Sequence, residues 1–376
     1  MTEINEFRID IPQADLDDLN SRLAATRWPD EPPGIGSSRG LPLAELRGIV
    51  EHWHTGFDWP AQEARLNAYP QFTTEIDGQT FHFVHVRSGV PDALPVLLTH
   101  GWPSSFVELL GLVEPLTQEG FDVVIPSLPG FGFSNPVRET GWGNLFRVAA
   151  AFAELMTRLG YERFAAHGGD VGAGVTGMLP MVAPGRVVAT HVNGPGPYPF
   201  GPPVDTEGLS PADTVRAERF NETQRDGLGY LHLQSTRPAT LGYALTDSPV
   251  GQLAWIGEKF AEWTEQPVSR DDLLTIVSLY WFTRSGASAA HFTYEGMQAF
   301  RAFAEQTGGD TGGSLAAAGA PIGVAVFATD NSIRSLVDPT GVAAHWSEFD
   351  KGGHFPALEV PDLLAGDLRK FFRAYQ

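Results

Sequence analysis

Cysteine is absent from the 376 residues, which excludes disulfide staples, thiolate nucleophiles and cysteine-ligated zinc. Lysine is scarce: Lys259, Lys351 and Lys370 are the only three among 25 basic residues. Acidic residues number 45, for a net charge of −20 and a pI near 4.8. Phosphate backbones need clustered positive charge, so nucleic acid is not an expected partner. No stretch reaches the roughly 18 uninterrupted apolar residues of a membrane helix. The start, MTEINEFRID, has neither the basic nor the apolar region of a secretory signal. A cytoplasmic protein without a membrane anchor is expected.

The residues that are present describe a packed globule. Hydrophobic content is 42%, with 24 Phe and 9 Trp spread along the chain, and the 42 Gly and 29 Pro are read as turns. At 40.7 kDa the chain suits a large α/β enzyme with an inserted module. Residues 1–79 read as a helical arm, because Leu16, Leu19 and Leu23 recur at helical spacing and 41–53 is a second amphipathic run. From Thr80 strands begin: TFHFVHVR alternates, and LPVLLTHG and GFDVVIPSLPG are short apolar runs ending in turns. Over 143–193 helices and strands alternate, the rhythm of a mostly parallel sheet. It stops at GPGPYPFGPP, and 195–307 reads as helices and loops without a strand, the texture of a lid. Strands resume in 308–376 with PIGVAVFAT, and a helix over 360–375 closes the chain.

The strongest local signal is AAHGGDVGAG, residues 165–174, where a strand runs through small residues and a central Asp170 into a helix. This is the form of a nucleophile elbow, whose crowded turn admits only small neighbours; by itself it also fits an acidic residue capping a helix. His100-Gly101-Trp102-Pro103 ends an earlier strand where an α/β-hydrolase fold donates one oxyanion N–H, making the amides of Trp102 and Val171 the candidate pair. Asp330 follows the apolar strand of the second core segment, and His354 sits in the KGGHF turn after the next one. The order nucleophile, acid, histidine is that of the α/β-hydrolase triad. Asp338, Glu348 and Asp350 are nearby alternatives for the acid.

Aspartate at the elbow selects the chemistry. A serine attacking saturated carbon leaves an ether, whereas a carboxylate leaves an ester that His-activated water can cleave. The substrate should react at an sp³ carbon, with a ring-opening epoxide oxygen or a halide as the leaving group.

The chain resembles the microsomal-type epoxide hydrolases, a family that includes the juvenile hormone epoxide hydrolases. The resemblance is carried by DDLNSRLAATRWP, HGWPSSFVELL, HGGDVGAG, GYLHLQSTRPATLGYALTDSPVG, DDLLTIVSLYW and KGGHFPALEVPDLLAGDLRKFF, and runs through nearly the whole chain. It implies an α/β-hydrolase fold with a mostly parallel sheet, a helical lid and an N-terminal arm. It further implies Asp170 as nucleophile, His354 as base, Asp330 as orienting acid and Tyr230 as one of two lid tyrosines that hydrogen-bond the epoxide oxygen.

The second tyrosine departs from the family pattern. Thr293 stands at its place, with Tyr294 one residue on, about 100° around a helix; Tyr294 or Tyr198 is a candidate substitute. Val171 also stands where relatives often carry Trp. The expected partners are a small apolar epoxide and water, with no cofactor and no metal, and the DSPVG lid segment offers contact surface for a homodimer. The competing functions are a haloalkane-dehalogenase-like enzyme with the same triad and a degenerate, non-catalytic binding protein.

Three other patterns carry no chemistry. Gly36-Ser37-Ser38-Arg39-Gly40 fits G-x-S-x-G but follows a loop instead of a strand. Gly172 to Gly177 fits G-x-G-x-x-G but lies within the elbow helix, without a ribose-binding acid downstream. His52 and His54 would face different sides of a helix.

Overall fold

Three apolar segments, Leu94–Thr99, Phe121–Pro126 and Phe164–Gly169, bury nearly every side chain, as strands covered on both faces must. They are β4, β5 and β6 of a nine-stranded sheet in a computed structural model that describes residues 3–196, 199–306 and 319–376. The other strands are β1 (Ile4–Phe7), β2 (Gln71–Ile76), β3 (Gln79–Val86), β7 (Val187–Asn193), β8 (Ile322–Val326) and β9 (His345–Glu348). The sheet order is β1-β2-β3-β5-β4-β6-β7-β8-β9. The pairs from β1 to β5 are antiparallel and those from β5 to β9 parallel. The arm expected to be wholly helical therefore supplies two strands. These were hidden because INEF and QFTTEI are short and half-exposed, and their pairing is long-range.

Between β1 and β2 run three helices, α1 (Gln13–Ala24), α2 (Leu43–Thr55) and α3 (Trp59–Leu66), the last unforeseen and capped by Asp58. The core carries α4 (Val113–Gln118), α5 (Leu145–Arg158) and α6 (Val171–Val182). After β7 the described residues form six α-helices, as expected of a lid: α7 (Pro211–Glu222), α8 (Gly229–Gln234), α9 (Pro238–Asp247), α10 (Pro249–Trp263), α11 (Arg270–Phe282) and α12 (Ser285–Gln306). Short α13 (Arg334–Val337) and α14 (Pro356–Glu359) precede α15 (Pro361–Phe372), which lies under β8. The glycine-rich 308–318 and Tyr198 lie outside the described residues.

The arm grips the lid from outside. Arg22 of α1 donates to the backbone and carboxylate oxygens of Asp247 at 2.8 and 3.1 Å. From α2, His52 meets Asp271 at 2.7 Å and the buried Trp53 indole donates to Ser278 at 3.0 Å. Arg65 of α3 donates to Asp272 at 3.1 Å. His52 is thus bonded to Asp271 while His54 is exposed, and no group of metal-ligating side chains occurs among the described residues.

Candidate active site

Asp170 sits between β6 and α6 with φ 51° and ψ −125°, a left-handed backbone that a non-glycine residue adopts only under constraint. Two glycines make the turn sterically feasible. A Cβ on Gly172 would lie 2.0 Å from the Thr99 carbonyl oxygen at the end of β4, and one on Gly101 would lie 2.3 Å from Asp170 Oδ1. The elbow and the HGWP loop are therefore packed backbone to backbone.

That packing directs the Trp102 N–H at the nucleophile: it donates to Asp170 Oδ1 at 2.8 Å. Val171 opens α6, so its N–H is one of the helix's unpaired amides beside Asp170. Asp170 Oδ2 lies 3.6 Å from His354 Nε2, beyond hydrogen-bond length, and Nε2 has no hydrogen-bond partner among the described residues. Burial lowers the His354 pKa, with Asp170 and then Glu359 working against it. The two side chains nonetheless keep 31% and 29% of their surface accessible.

Asp330 occupies the loop after β8, as the sequence implied. Its Oδ2 accepts the Phe327 N–H at 3.0 Å, and Oδ1 lies against Gly194, where an added Cβ would be 2.8 Å away. Burial pushes its pKa up to about 7, against the Phe327 N–H and the charges of Arg216 and Arg219. The loops of Asp330 and His354 touch, through Thr329 N–H to the Gly352 carbonyl at 3.4 Å, but no hydrogen bond joins Asp330 to His354.

The lid brings Tyr230, at the start of α8, over the site. Its ring stacks on Trp102, with centroids 5.0 Å apart and planes at 6°, and meets Trp263 edge-on at 5.3 Å. Burial first, then Asp170 and Glu262, raise its pKa, so the phenol stays protonated. Trp255 completes an aromatic box around Trp102, and the Lys259 ammonium lies 4.9 Å from the Tyr230 ring centroid.

Tyr294 does not join this group. It is 36% exposed on α12, one residue and about 100° around the helix from Thr293. The Thr293 hydroxyl is turned onto its own helix, donating to the Ala289 carbonyl at 3.1 Å.

Several neighbours escaped the sequence analysis. Burial pushes the pKa of Glu108 up to about 8, with Asp170 and Glu359 adding to the shift and Ser104 opposing it. Tyr280 is buried and donates to the Ser104 carbonyl at 2.9 Å. A lone acid inside the apolar run FVELLGL was a legible signal for Glu108; Tyr280 had none, being the first of three consecutive aromatics at the end of α11.

The chain is similar to known epoxide hydrolases over nearly its whole length. Residues 4–109 match the epoxide hydrolase N terminus and 95–228 the α/β-hydrolase fold. A putative epoxide hydrolase of Stigmatella aurantiaca is 44% identical, covering 98% of this chain and 85% of the relative; Epoxide hydrolase 1 of Sus scrofa is 32% identical, covering 98% and 88%. The solved Aspergillus niger epoxide hydrolase superimposes with a TM-score of 0.86 at 34% identity, covering 99% of this chain and 96% of that one. The silkworm juvenile hormone epoxide hydrolase does so with 0.86 at 27% identity, covering 100% and 95%. With the elbow aspartate, the facing histidine and the lid tyrosine in one site, the chain belongs to the epoxide hydrolase family.

Proposed function

We propose that the protein converts an epoxide to a vicinal diol in two steps through a covalent ester on Asp170. Oδ2 attacks a ring carbon in line with the breaking C–O bond, and Tyr230 gives its proton to the departing oxygen. A water then loses a proton to His354 Nε2 and attacks the ester carbonyl carbon. The N–H groups of Trp102 and Val171 hold the oxyanion; as it collapses the ester C–O bond breaks, the leaving alkoxide takes the proton held by His354, and the proton of the added hydroxyl returns to Tyr230, so the diol leaves with carboxylate, imidazole and phenol restored. Asp330, whose loop touches the His354 turn, balances the charge of the imidazolium.

The observation that carries this reading is the division of the Asp170 carboxylate: one oxygen is held by a backbone N–H, the other lies free beside an unpartnered imidazole. The rings of Trp102, Tyr230, Trp255 and Trp263 give the site an aromatic wall that suits a small apolar substrate. A single turnover in ¹⁸O-water with styrene oxide tests the ester. The label should enter Asp170 and be missing from the first-turnover diol; label in that diol would refute the covalent step. No helix among the described residues is long and apolar enough to cross a membrane. A cytoplasmic location and a homodimer through the lid belong to the same proposal, and sedimentation checks the dimer.

A further inference from the structure

The residues that end α10 and those around His354 are some ninety positions apart in sequence and are tied together at five points. The His354 N–H donates to the Trp263 carbonyl at 2.9 Å, and the Trp263 ring lies against the imidazole with centroids 4.8 Å apart. The Gly352 N–H donates to Glu265 Oε2 at 2.9 Å. A Cβ on Gly353 would stand 2.4 Å from the Trp263 carbonyl oxygen, so only glycine permits this approach. The fifth tie is Glu359, the last residue of α14. Its Oε2 accepts the N–H groups of Glu265 and Gln266 at 2.6 and 2.9 Å, and its Oε1 accepts that of Phe355 at 3.0 Å.

One carboxylate therefore accepts from the lid with one oxygen and from the residue next to the base with the other. Charge-assisted bonds of this kind are the stronger class, and three on one carboxylate fix its position. Trp263 also packs against Tyr230 and, at 6.1 Å, against Trp102. The imidazole has no hydrogen bond to Asp330, which leaves its backbone and ring contacts with this loop to set its position.

We infer that Glu359 is a positioning residue for the base: it clasps the lid's exit loop to the His354 turn, so that His354 is in place for ester hydrolysis only while the lid is docked. This inference rests on the two-step reading above. Ring opening uses Asp170 and Tyr230, which Glu359 does not touch, so the two steps should respond differently to its loss.

The test uses the full-length enzyme and styrene oxide, with rapid quenching to resolve the steps and intact-protein mass spectrometry to count the alkyl ester. In Glu359→Gln, ring opening should stay within about 3-fold of the parent while ester hydrolysis slows by about 10- to 100-fold, the range expected of a base displaced by a fraction of an ångström to one ångström. The alkyl-enzyme should then become the main steady-state species. Glu265→Ala removes one arm of the clasp from the lid side through an exposed side chain, should fold normally, and should shift the steps in the same direction by less. If Glu359→Gln fails to fold, Glu359→Asp, which keeps the charge but is one methylene too short to hold the Glu265 and Phe355 N–H groups at once, decides instead. Equal slowing of both steps, or unchanged hydrolysis in the folded variants, would overturn the inference. A parent enzyme that forms no alkyl ester would instead overturn the two-step reading.

Discussion

The Trp102 N–H donates to Oδ1 of Asp170 at 2.8 Å, and this one bond makes the two carboxylate oxygens unequal. Oδ2, on the side of His354, is in the proposed mechanism the oxygen that attacks carbon. Once it has done so, Oδ1 is the ester carbonyl oxygen and already rests on an oxyanion donor. The ground-state hydrogen bond is thus reused in the second step without rearrangement, which is how a preorganised site lowers a barrier.

Asp170→Asn should separate this chemistry from folding. The amide oxygen still accepts from Trp102, but the nucleophile is lost, so diol formation should fall by at least about 10³-fold. The melting temperature should stay within about 4 °C. Diol assays beside thermal melts decide it, and near-normal turnover would rule out Asp170 as the nucleophile.

The two tyrosines should differ sharply. Tyr230→Phe preserves the stack on Trp102 and removes only the hydroxyl, so ring opening should slow by about 10²-fold or more while ester hydrolysis changes little. Tyr294→Phe, on the exposed side of α12, should stay within about 2-fold in both steps. Pre-steady-state traces distinguish them; a large defect in Tyr294→Phe would return that residue to the site.

The pH dependence of ester hydrolysis should report Asp330. Its pKa is pushed up to about 7 by burial, and only the anion can balance an imidazolium. Hydrolysis should therefore rise as pH increases through about 7, because His354, its own pKa lowered, is already neutral there. Asp330→Asn should slow the step and abolish that limb. A limb that persists in the variant would belong to another group.

Acid should destabilise the fold for a separate reason. Burial lowers the pKa of His82 to about 3 and of His100 to about 4, and lowers those of His167 and His191 as well. Unfolded histidine titrates near 6.5, so below that pH the unfolded chain binds protons the folded one refuses. The stability these groups contribute is complete above about pH 6.5 and is lost as pH falls toward 4, by up to about 1.4 kcal/mol per pH unit for each histidine. Urea midpoints at pH 7.5 and 5 test this, and equal midpoints would contradict it.

Asp170, Trp102 and His354 could be placed from sequence because their signals are local: glycines crowd one turn, and a strand precedes each loop. Thr293 was equally legible as a departure, since a helix converts a one-residue offset into a change of face. Glu359 and Trp263 could not be read, because their partners lie across some ninety residues and are mostly backbone amides, which carry no sequence signature. Strands β1 and β2 were missed for a related reason: their short, mixed texture acquires meaning only from the β3 edge they join.

Arg22, His52, Trp53 and Arg65 hold α9 and α11 from the outer side, while the Glu359 clasp holds the end of α10 from the core. Arm, lid and core are thereby joined in one cooperative unit, and calorimetry should see a single melting transition. Modularity suffers in the same measure. A lid of this kind cannot be transplanted onto a hydrolase that lacks the arm without leaving the outer faces of α9 and α11 bare, so exchange between such enzymes has to move both segments together.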